Sequence, residues 1–267
     1  MSSYRNEELR MSGSLEGKVA WITGGGTGIG RAAGKALSMA GASVALSGRR
    51  KAVLDEALAE ALVGPGKGVV LPLDVADPAS VQSAAEQIRT ELGEIDILVN
   101  SAGLNLAHRR YHQMSVEDWQ RVIAANLNGA FYCTHAVLPG MRERRDGLII
   151  NISSWAGRYD SYIAGPAYGA SKHGLSSMSA TLNLEEGRYG IRCCCIEPAE
   201  VATEILDQRP VPVSEVDRQR MLQVEDLGET IRFVAEMPAH VCLNEIVISP
   251  TWNRAHMGDE DQYPGPL

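Results

Sequence analysis

The chain has 267 residues, 45% hydrophobic, with a net charge of −8. That is length enough to bury a core without staples, and the acidic balance argues against a general nucleic-acid or anionic-membrane surface while leaving room for one local basic pocket. Five cysteines, three of them consecutive at Cys193, Cys194 and Cys195, do not make a disulfide framework, no CxxC occurs and the histidines stand at unrelated spacings, so reduced thiols in a cytoplasmic protein are expected and a metal site is not.

Met1 to Gly13 is polar and without an apolar core, so it reads as a flexible arm rather than a signal peptide. Lys18 to Thr23 follows as a strand and Gly28 to Ala40 as a helix. Ser43 to Ser47 is a second strand, and Lys51 to Leu62, rich in Ala, Leu and Glu, a second helix. Val69 to Leu73 is a third strand, and Pro78 near the start of the next pattern marks a helix to Leu92. Ile95 to Val99 is a fourth strand, followed by a long helical stretch from Ser115 to Val137, expected to break near Pro139-Gly140. Gly147 to Ile152 is a fifth strand, Ala167 to Glu186 a long helix, and Ile191 to Ile196 a sixth strand in which cysteine serves as a small hydrophobe. Glu225 to Glu236 is a helix and Glu245 to Ile248 a final short strand.

Continuous apolar strands alternating with helices imply a parallel sheet covered on both faces. No linker divides the chain, no repeat appears, and no apolar run is long enough to cross a bilayer. The plan expected is an arm at 1–14, one α/β domain at 15–250 and a tail at 251–267 that is either loose or packed on a partner subunit. The charged, proline-bearing insert from Val201 to Met221 follows a late strand, where open α/β sheets border their ligand crevice.

Thr23-Gly-Gly-Gly-Thr-Gly-Ile-Gly30 leaves a strand and opens a helix. Glycine permits the turn and lets a pyrophosphate approach backbone N–H groups at a helix N-terminus. Gly24, Gly28 and Gly30 are the spaced positions, with Ile29 packing beneath. Strand two ends at Ser47-Gly48-Arg49-Arg50. An acid there would hold the ribose of NAD; here Gly48 stands in its place and the Arg49 guanidinium suits a 2′-phosphate, which favours NADP over NAD unless Arg49 and Arg50 are only solvated helix-start charges.

Tyr168-Gly-Ala-Ser-Lys172 places a phenol and an ammonium on one helix face. A cation nearby lowers a phenol's pKa and makes it a usable acid and base; the plain alternative is a surface Tyr–Lys pair. Asn151-Ile-Ser-Ser154 ends a strand at the carboxyl edge, where Ser154 can meet a substrate oxygen or merely close the strand. No Gly-x-Ser-x-Gly elbow is present.

Together with Asn100-Ser-Ala-Gly103 and Asn126-Leu-Asn-Gly129, these motifs occur in the order and spacing of the short-chain dehydrogenase/reductases, which the chain resembles from about Gly17 to about Ile248. The resemblance implies a Rossmann-type doubly wound sheet of about seven strands in the order 3-2-1-4-5-6-7. It implies a catalytic set in which Tyr168 is the acid and base, Lys172 lowers its pKa and binds the nicotinamide ribose, Ser154 polarises the carbonyl and Asn126 holds a relay water. It implies cofactor contacts at Gly24, Thr27, Gly28, Ile29, Gly30, Arg49, at Asp74 and Val75 for adenine, at Asn100 on the adenosine side, and at Tyr168, Lys172, Pro198 and Thr203 toward the nicotinamide. Such proteins are commonly homotetramers, less often dimers.

The expected activity is hydride transfer between NADP(H) and a small-molecule carbonyl or alcohol. An NAD-linked dehydrogenase, a lyase or epimerase on the same scaffold and a non-catalytic dinucleotide sensor are the rivals. Two departures stand out. The family's Asn-Asn-Ala-Gly reads Asn100-Ser101-Ala102-Gly103, and its Pro-Gly after the sixth strand reads Pro198-Ala199, which would force a loop shift if a positive φ is required. The chain also lacks the Gly-rich ending of acyl-carrier reductases and looks more like the uncharacterised and hydroxy-acid branches. Arg209 and Arg218 are candidates to meet a carboxylate, and His108, Trp155, Tyr159 and Tyr162 are candidate pocket residues.

Overall fold

The computed structural model describes residues 15–209 and 211–253. Seven parallel strands form one sheet in the order β3-β2-β1-β4-β5-β6-β7. They are β1 (Val19–Thr23), β2 (Ser43–Gly48), β3 (Gly68–Pro72), β4 (Ile97–Asn100), β5 (Gly147–Ile152), β6 (Ile191–Pro198) and β7 (Glu245–Ile248). The helices that connect them are α1 (Gly28–Met39), α2 (Lys51–Ala61), α3 (Pro78–Glu91), α4 (Val116–Ile123), α5 (Gly129–Arg144), α6 (Pro166–Glu186), α7 (Glu215–Arg220) and α8 (Val224–Ala235).

Strand alternation divides the core between the two faces of the sheet. Ala20 and Ile22 of β1 pack with Leu37 of α1, Leu54 of α2 and Leu227 and Ile231 of α8. Val19 and Trp21 turn the other way, toward Val81 and Ile88 of α3 and Met141 of α5. Burying each large aliphatic side chain stabilises the fold by about 1.5–3 kcal/mol. Cys193 and Cys194 fall into opposite clusters, as small hydrophobes of a buried strand.

The strand order reverses between β1 and β4, which opens a crevice beyond their carboxyl ends. The register aligns polar residues along that edge: Thr23 pairs with Ser47 and with Asn100, Asn100 with Asn151, and Asn151 with Cys195.

The stretch from Ser115 is helical as expected: Ser115 caps α4 by accepting from Asp118 N at 3.0 Å, and one π turn at Ala124–Asn128 joins α4 to α5 with helical backbone on both sides. One expectation is corrected: the chain does not break at Pro139, since α5 runs through it to Arg144. Proline removes one helical N–H, but the following turn is held from outside. Met141 is fully buried, Arg142 pairs with Glu186, and Arg144 donates to Glu94 and to the Ile95 carbonyl, each at 2.7 Å.

The insert after β6 is partly ordered. It contains a 3-10 turn at Glu204–Gln208 and α7, with Val201 bridged to Leu222. Just past Pro250, Asn253 is buried and the Arg220 guanidinium lies 4.7 Å from the Trp252 ring centroid. The expected arm at 1–14 and the rest of the tail, 254–267, lie outside the described residues.

Candidate active site

Thr23 closes β1 and ties it to the loop after β4. Its hydroxyl oxygen accepts from Ser101 N and Ala102 N, each at 3.2 Å. Gly24 follows at φ 65°, and a Cβ there would stand 2.9 Å from the Ala102 backbone, so only glycine lets the two loops meet. A Cβ at Gly30 would lie 2.3 Å from the Gly24 carbonyl oxygen, which fixes how closely α1 packs under the turn. Gly28 also has positive φ, 52°, and lies against Thr203, to whose Cγ2 an added Cβ would approach within 3.2 Å. Thr203 therefore faces the glycine loop. Thr27 is the N-cap residue of α1, and Ile29 packs on the core below. The loop so formed is a cradle of backbone at a helix N-terminus, and its glycines fit a pyrophosphate.

Arg49 is exposed beyond β2 and makes no hydrogen bond or ion pair with the described residues. At Gly48 an added Cβ would meet only Leu54, at 3.6 Å, so space for the expected acid exists and is left unused. Asp74 is exposed and accepts from Ala76 N at 3.0 Å, while Val75 is buried against Gly129 at the start of α5. Asn100 ends β4 at the edge of the crevice. Its side chain is buried behind the cleft, with Nδ2 donating to Asn151 Oδ1 at 2.9 Å and to Thr134 Oγ1 at 3.3 Å. It shapes the crevice by holding β4 to β5 and α5.

Ser154, Tyr168 and Lys172 are brought together. Ser153 and Ser154 divide their duties. Ser153 Oγ is buried and donates to the Lys172 carbonyl at 3.1 Å. Ser154 Oγ accepts from Ala156 N at 3.1 Å, which leaves its own hydrogen to donate. Ser154 is the hydrogen-bond partner of the half-buried Tyr168 phenol. Lys172 is buried, its Nζ donating to the Ile152 carbonyl at 2.7 Å and lying 5.6 Å from the Tyr168 ring centroid.

Burial pushes the Tyr168 phenol above its usual range, against the lowering influence of Ser154 and of the Arg109 and Arg209 charges. Burial likewise brings Lys172 down to about 8, while its Nζ donates to the Ile152 carbonyl.

Asn126 sits in the π turn, a feature frequent at functional sites. Its Oδ1 accepts from Leu104 N at 2.8 Å, and its Nδ2 donates to the Leu104 carbonyl at 3.0 Å and to Ser171 Oγ at 3.2 Å. The amide clamps the loop after β4 to α6. Gly103 lies in front of both groups, where a Cβ would be 3.4 Å from Asn126 Oδ1 and 3.7 Å from Lys172 Nζ. At the end of β6, Pro198 pairs with Ile248, and Ala199 N continues the ladder to the Ile248 carbonyl at 2.8 Å. Among the described residues Arg145 is the only non-glycine with positive φ, so Ala199 sits here without left-handed strain.

Arg209 pairs with Glu200 at 2.6 Å and Arg218 with Asp207 at 2.5 Å. Tyr159 and Tyr162 are exposed, and Arg110 lies 3.5 Å over the Tyr162 ring. The residue that sequence reasoning missed is Arg109. The sequence offers no signal that sets it apart from the neighbouring Arg110, yet its side chain is buried and its charge acts on Tyr168. Among the described residues no group of three His, Cys, Asp or Glu side chains is placed to hold a metal ion, and no helix is long and apolar enough to cross a membrane.

A dinucleotide cradle at the sheet's switch point, with Tyr168, Lys172 and Ser154 beyond it, defines a nicotinamide-dependent dehydrogenase or reductase. The short chain dehydrogenase family model matches residues 18–211, and the chain belongs to that family of oxidoreductases, which act on CH–OH and C=O groups. It is 35% identical over 239 residues to an NADP-dependent 3-hydroxy acid dehydrogenase of Salmonella typhi, covering 87% of this chain and 94% of that one. It is also 35% identical over 244 residues to a glycine betaine reductase of Emericella nidulans. That match takes in 89% of this chain and only 19% of the much longer fungal protein. Among solved structures, serine dehydrogenase in complex with NADP+ is similar with a TM-score of 0.78 and 34% identity, over 90% of this chain and 98% of that one.

Proposed function

We propose that this protein is an NADP(H)-dependent reductase of ketones or aldehydes, running in reverse as a secondary-alcohol dehydrogenase. The observation that carries the reading is the convergence of Ser154, at the end of β5, with the Tyr168 phenol and a buried Lys172 at the carboxyl edge of the sheet.

The cofactor, when bound, supplies the hydride that reaches the carbonyl carbon. The protein's own part is to bind, orient and protonate. Gly24, Gly28 and Gly30 admit the pyrophosphate to the backbone, and Asp74 keeps a carboxylate oxygen available at the adenine end. Arg49, with no partner among the described residues, is the group for a 2′-phosphate. Ser154 donates its hydrogen to the substrate oxygen, and Tyr168 Oη passes its proton to the same oxygen as charge develops there. One hydride and one proton convert carbonyl to alcohol. Lys172 replaces the phenol's proton, and its lowered pKa, about 8, lets it give one up near neutral pH. The relatives described above as NADP-dependent or solved with NADP+ support the same cofactor here.

In this reading the arm at 1–14 and the tail from 251 flank a single catalytic domain. The free thiols, buried at Cys133, Cys193, Cys194 and Cys195 and exposed at Cys242, suit the cytoplasm, and exposed Phe131, Val116 and Leu184 suit a homo-oligomer, a tetramer or a dimer.

Isothermal titration with NADPH and NADH side by side tests the cofactor. NADPH is expected to bind at least about tenfold more tightly, with the advantage lost in Arg49→Ala. Equal or tighter NADH binding would make Arg49 a surface charge, and binding of neither would remove the reading.

A further inference from the structure

Arg109 lies in the loop between β4 and α4, yet its side chain is only 4% exposed. Its guanidinium donates to three backbone carbonyls, those of Leu106, Ile163 and Gln208. These belong to the loop after β4, the loop leading into α6, whose first turn carries Tyr168, and the insert after β6. Three of its five N–H groups are thereby used, and two remain. Carbonyls satisfy hydrogen bonds but leave the charge uncancelled. No carboxylate among the described residues pairs with Arg109.

The neighbouring charges deepen the imbalance. Burial above all, and then the Arg209 and Arg110 charges, hold Arg109 below the usual guanidinium range. Arg209 has one carboxylate, Glu200, at 2.6 Å. Arg110 turns outward onto the exposed Tyr162 ring. Arg109, which donates to the carbonyl just before Arg209, and Arg209 itself thus have one carboxylate between them among the described residues, leaving a net positive charge in a largely desolvated place. A buried charge is retained at a cost unless it is paired, and the partner that completes this set is an anion that enters with the substrate.

We propose that Arg109 and Arg209 form a carboxylate subsite beside Tyr168, so that the substrate is a small oxo acid or hydroxy acid whose carboxylate docks on these guanidinium groups while its carbonyl or hydroxyl meets Tyr168 and Ser154. This rests on the reductase reading above. The planar fork of arginine matches a carboxylate in two hydrogen bonds, and the two N–H groups left on Arg109 are enough for one such pair. A subsite built of a buried arginine selects strongly, because a neutral substrate leaves its charge unpaired.

The test compares a charged and a neutral version of one ketone. Rates with NADPH are measured for 3-oxobutanoate and for its methyl ester, in the wild type and in Arg109→Met, Arg209→Met and Tyr168→Phe proteins. The acid is expected to be preferred in kcat/KM by about tenfold or more. Each arginine variant should erase that preference by lowering kcat/KM for the acid at least about tenfold more than for the ester, with the acid's extra loss falling chiefly on KM. Arg209→Met guards against Arg109→Met failing to fold, because Arg209 does not tie three loops together. An ester used as well as the acid by the wild type would overturn the subsite. So would equal losses for both substrates in the variants, which would make the arginines structural. In either case, ester reduction that disappears in Tyr168→Phe would leave the reductase reading standing, so the two failures are told apart. Turnover of neither probe would overturn both.

Discussion

Lys172 Nζ donates to the carbonyl of Ile152, the last residue of β5, at 2.7 Å. That bond spans the seam between α6 and the sheet and fixes where the helix places Tyr168, one turn earlier. Ser153 returns a second bond across the same seam, from its hydroxyl to the Lys172 carbonyl at 3.1 Å. The pair of serines at the end of β5 therefore does two jobs: Ser153 locks the helix and Ser154 faces the phenol.

Removing the Ser154 hydroxyl separates those jobs. In Ser154→Ala the helix stays locked by Ser153, so the unfolding temperature and NADPH affinity should hardly change. The carbonyl oxygen loses a donor, and kcat should fall by about a hundredfold or more. Steady-state kinetics beside NADPH titration checks this. A fall in affinity equal to the fall in rate would show that Ser154 shapes the cradle instead.

Lys172 gives a pH-dependent stability. In the unfolded chain it keeps its proton to about 10.5, and in the folded protein it releases it at about 8. Between those values the unfolded state binds more protons, so this group makes the protein more stable as pH rises through the window, and its burial is most costly below it. Lys172→Met should therefore raise the unfolding temperature near neutral pH, by about 2–4 °C, with the gain shrinking toward pH 10.5 and catalysis lost. Thermal unfolding across that range reads it, and a gain that did not depend on pH would contradict the linkage.

The glycine turn is testable against an internal control. Gly24→Ala puts a side chain at φ 65° and 2.9 Å from the Ala102 backbone. The left-handed conformation alone costs about 1–2 kcal/mol, and the clash forces the crevice apart, so NADPH affinity should drop at least about tenfold. Gly17→Ala has a comparable φ, 78°, with nothing within 4 Å. It should lose similar stability from strain and no affinity. Equal affinity in the two variants would mean that the loop contact does not form the cradle.

Much of this was legible in the chain because the signals are local. Seven apolar runs and their intervening helices are set by period and by caps such as Asp77, whose side chain accepts from Ala79 N ahead of Pro78. The motifs at 23–30, 151–154 and 168–172 place their residues by position along one strand, one turn or one helix face. What escaped depends on contacts between segments far apart. Pro139 is tolerated because Glu94 and Glu186, from other elements, hold the turn after it. Asn126 has its amide committed to the loop at Leu104, which no spacing reveals. Arg109 is buried only because Ile163 and Gln208 come to it from loops 54 and 99 residues away. Sequence reasoning looked to Lys172, four residues along the same helix, as the cation near Tyr168, and had no signal for the influence of Arg109 and Arg209, which come from two other loops.

The most direct test of the account follows NADPH consumption spectrophotometrically in the presence of a panel of ketones and oxo acids, with the wild-type protein and with Tyr168→Phe. The account predicts turnover by the wild type of at least one carbonyl compound and a rate reduced by about 10²–10⁴-fold or more in Tyr168→Phe, with NADPH binding preserved. A Tyr168→Phe protein that kept most of its turnover would contradict the assignment of the proton to this phenol, and with it the mechanism built on it.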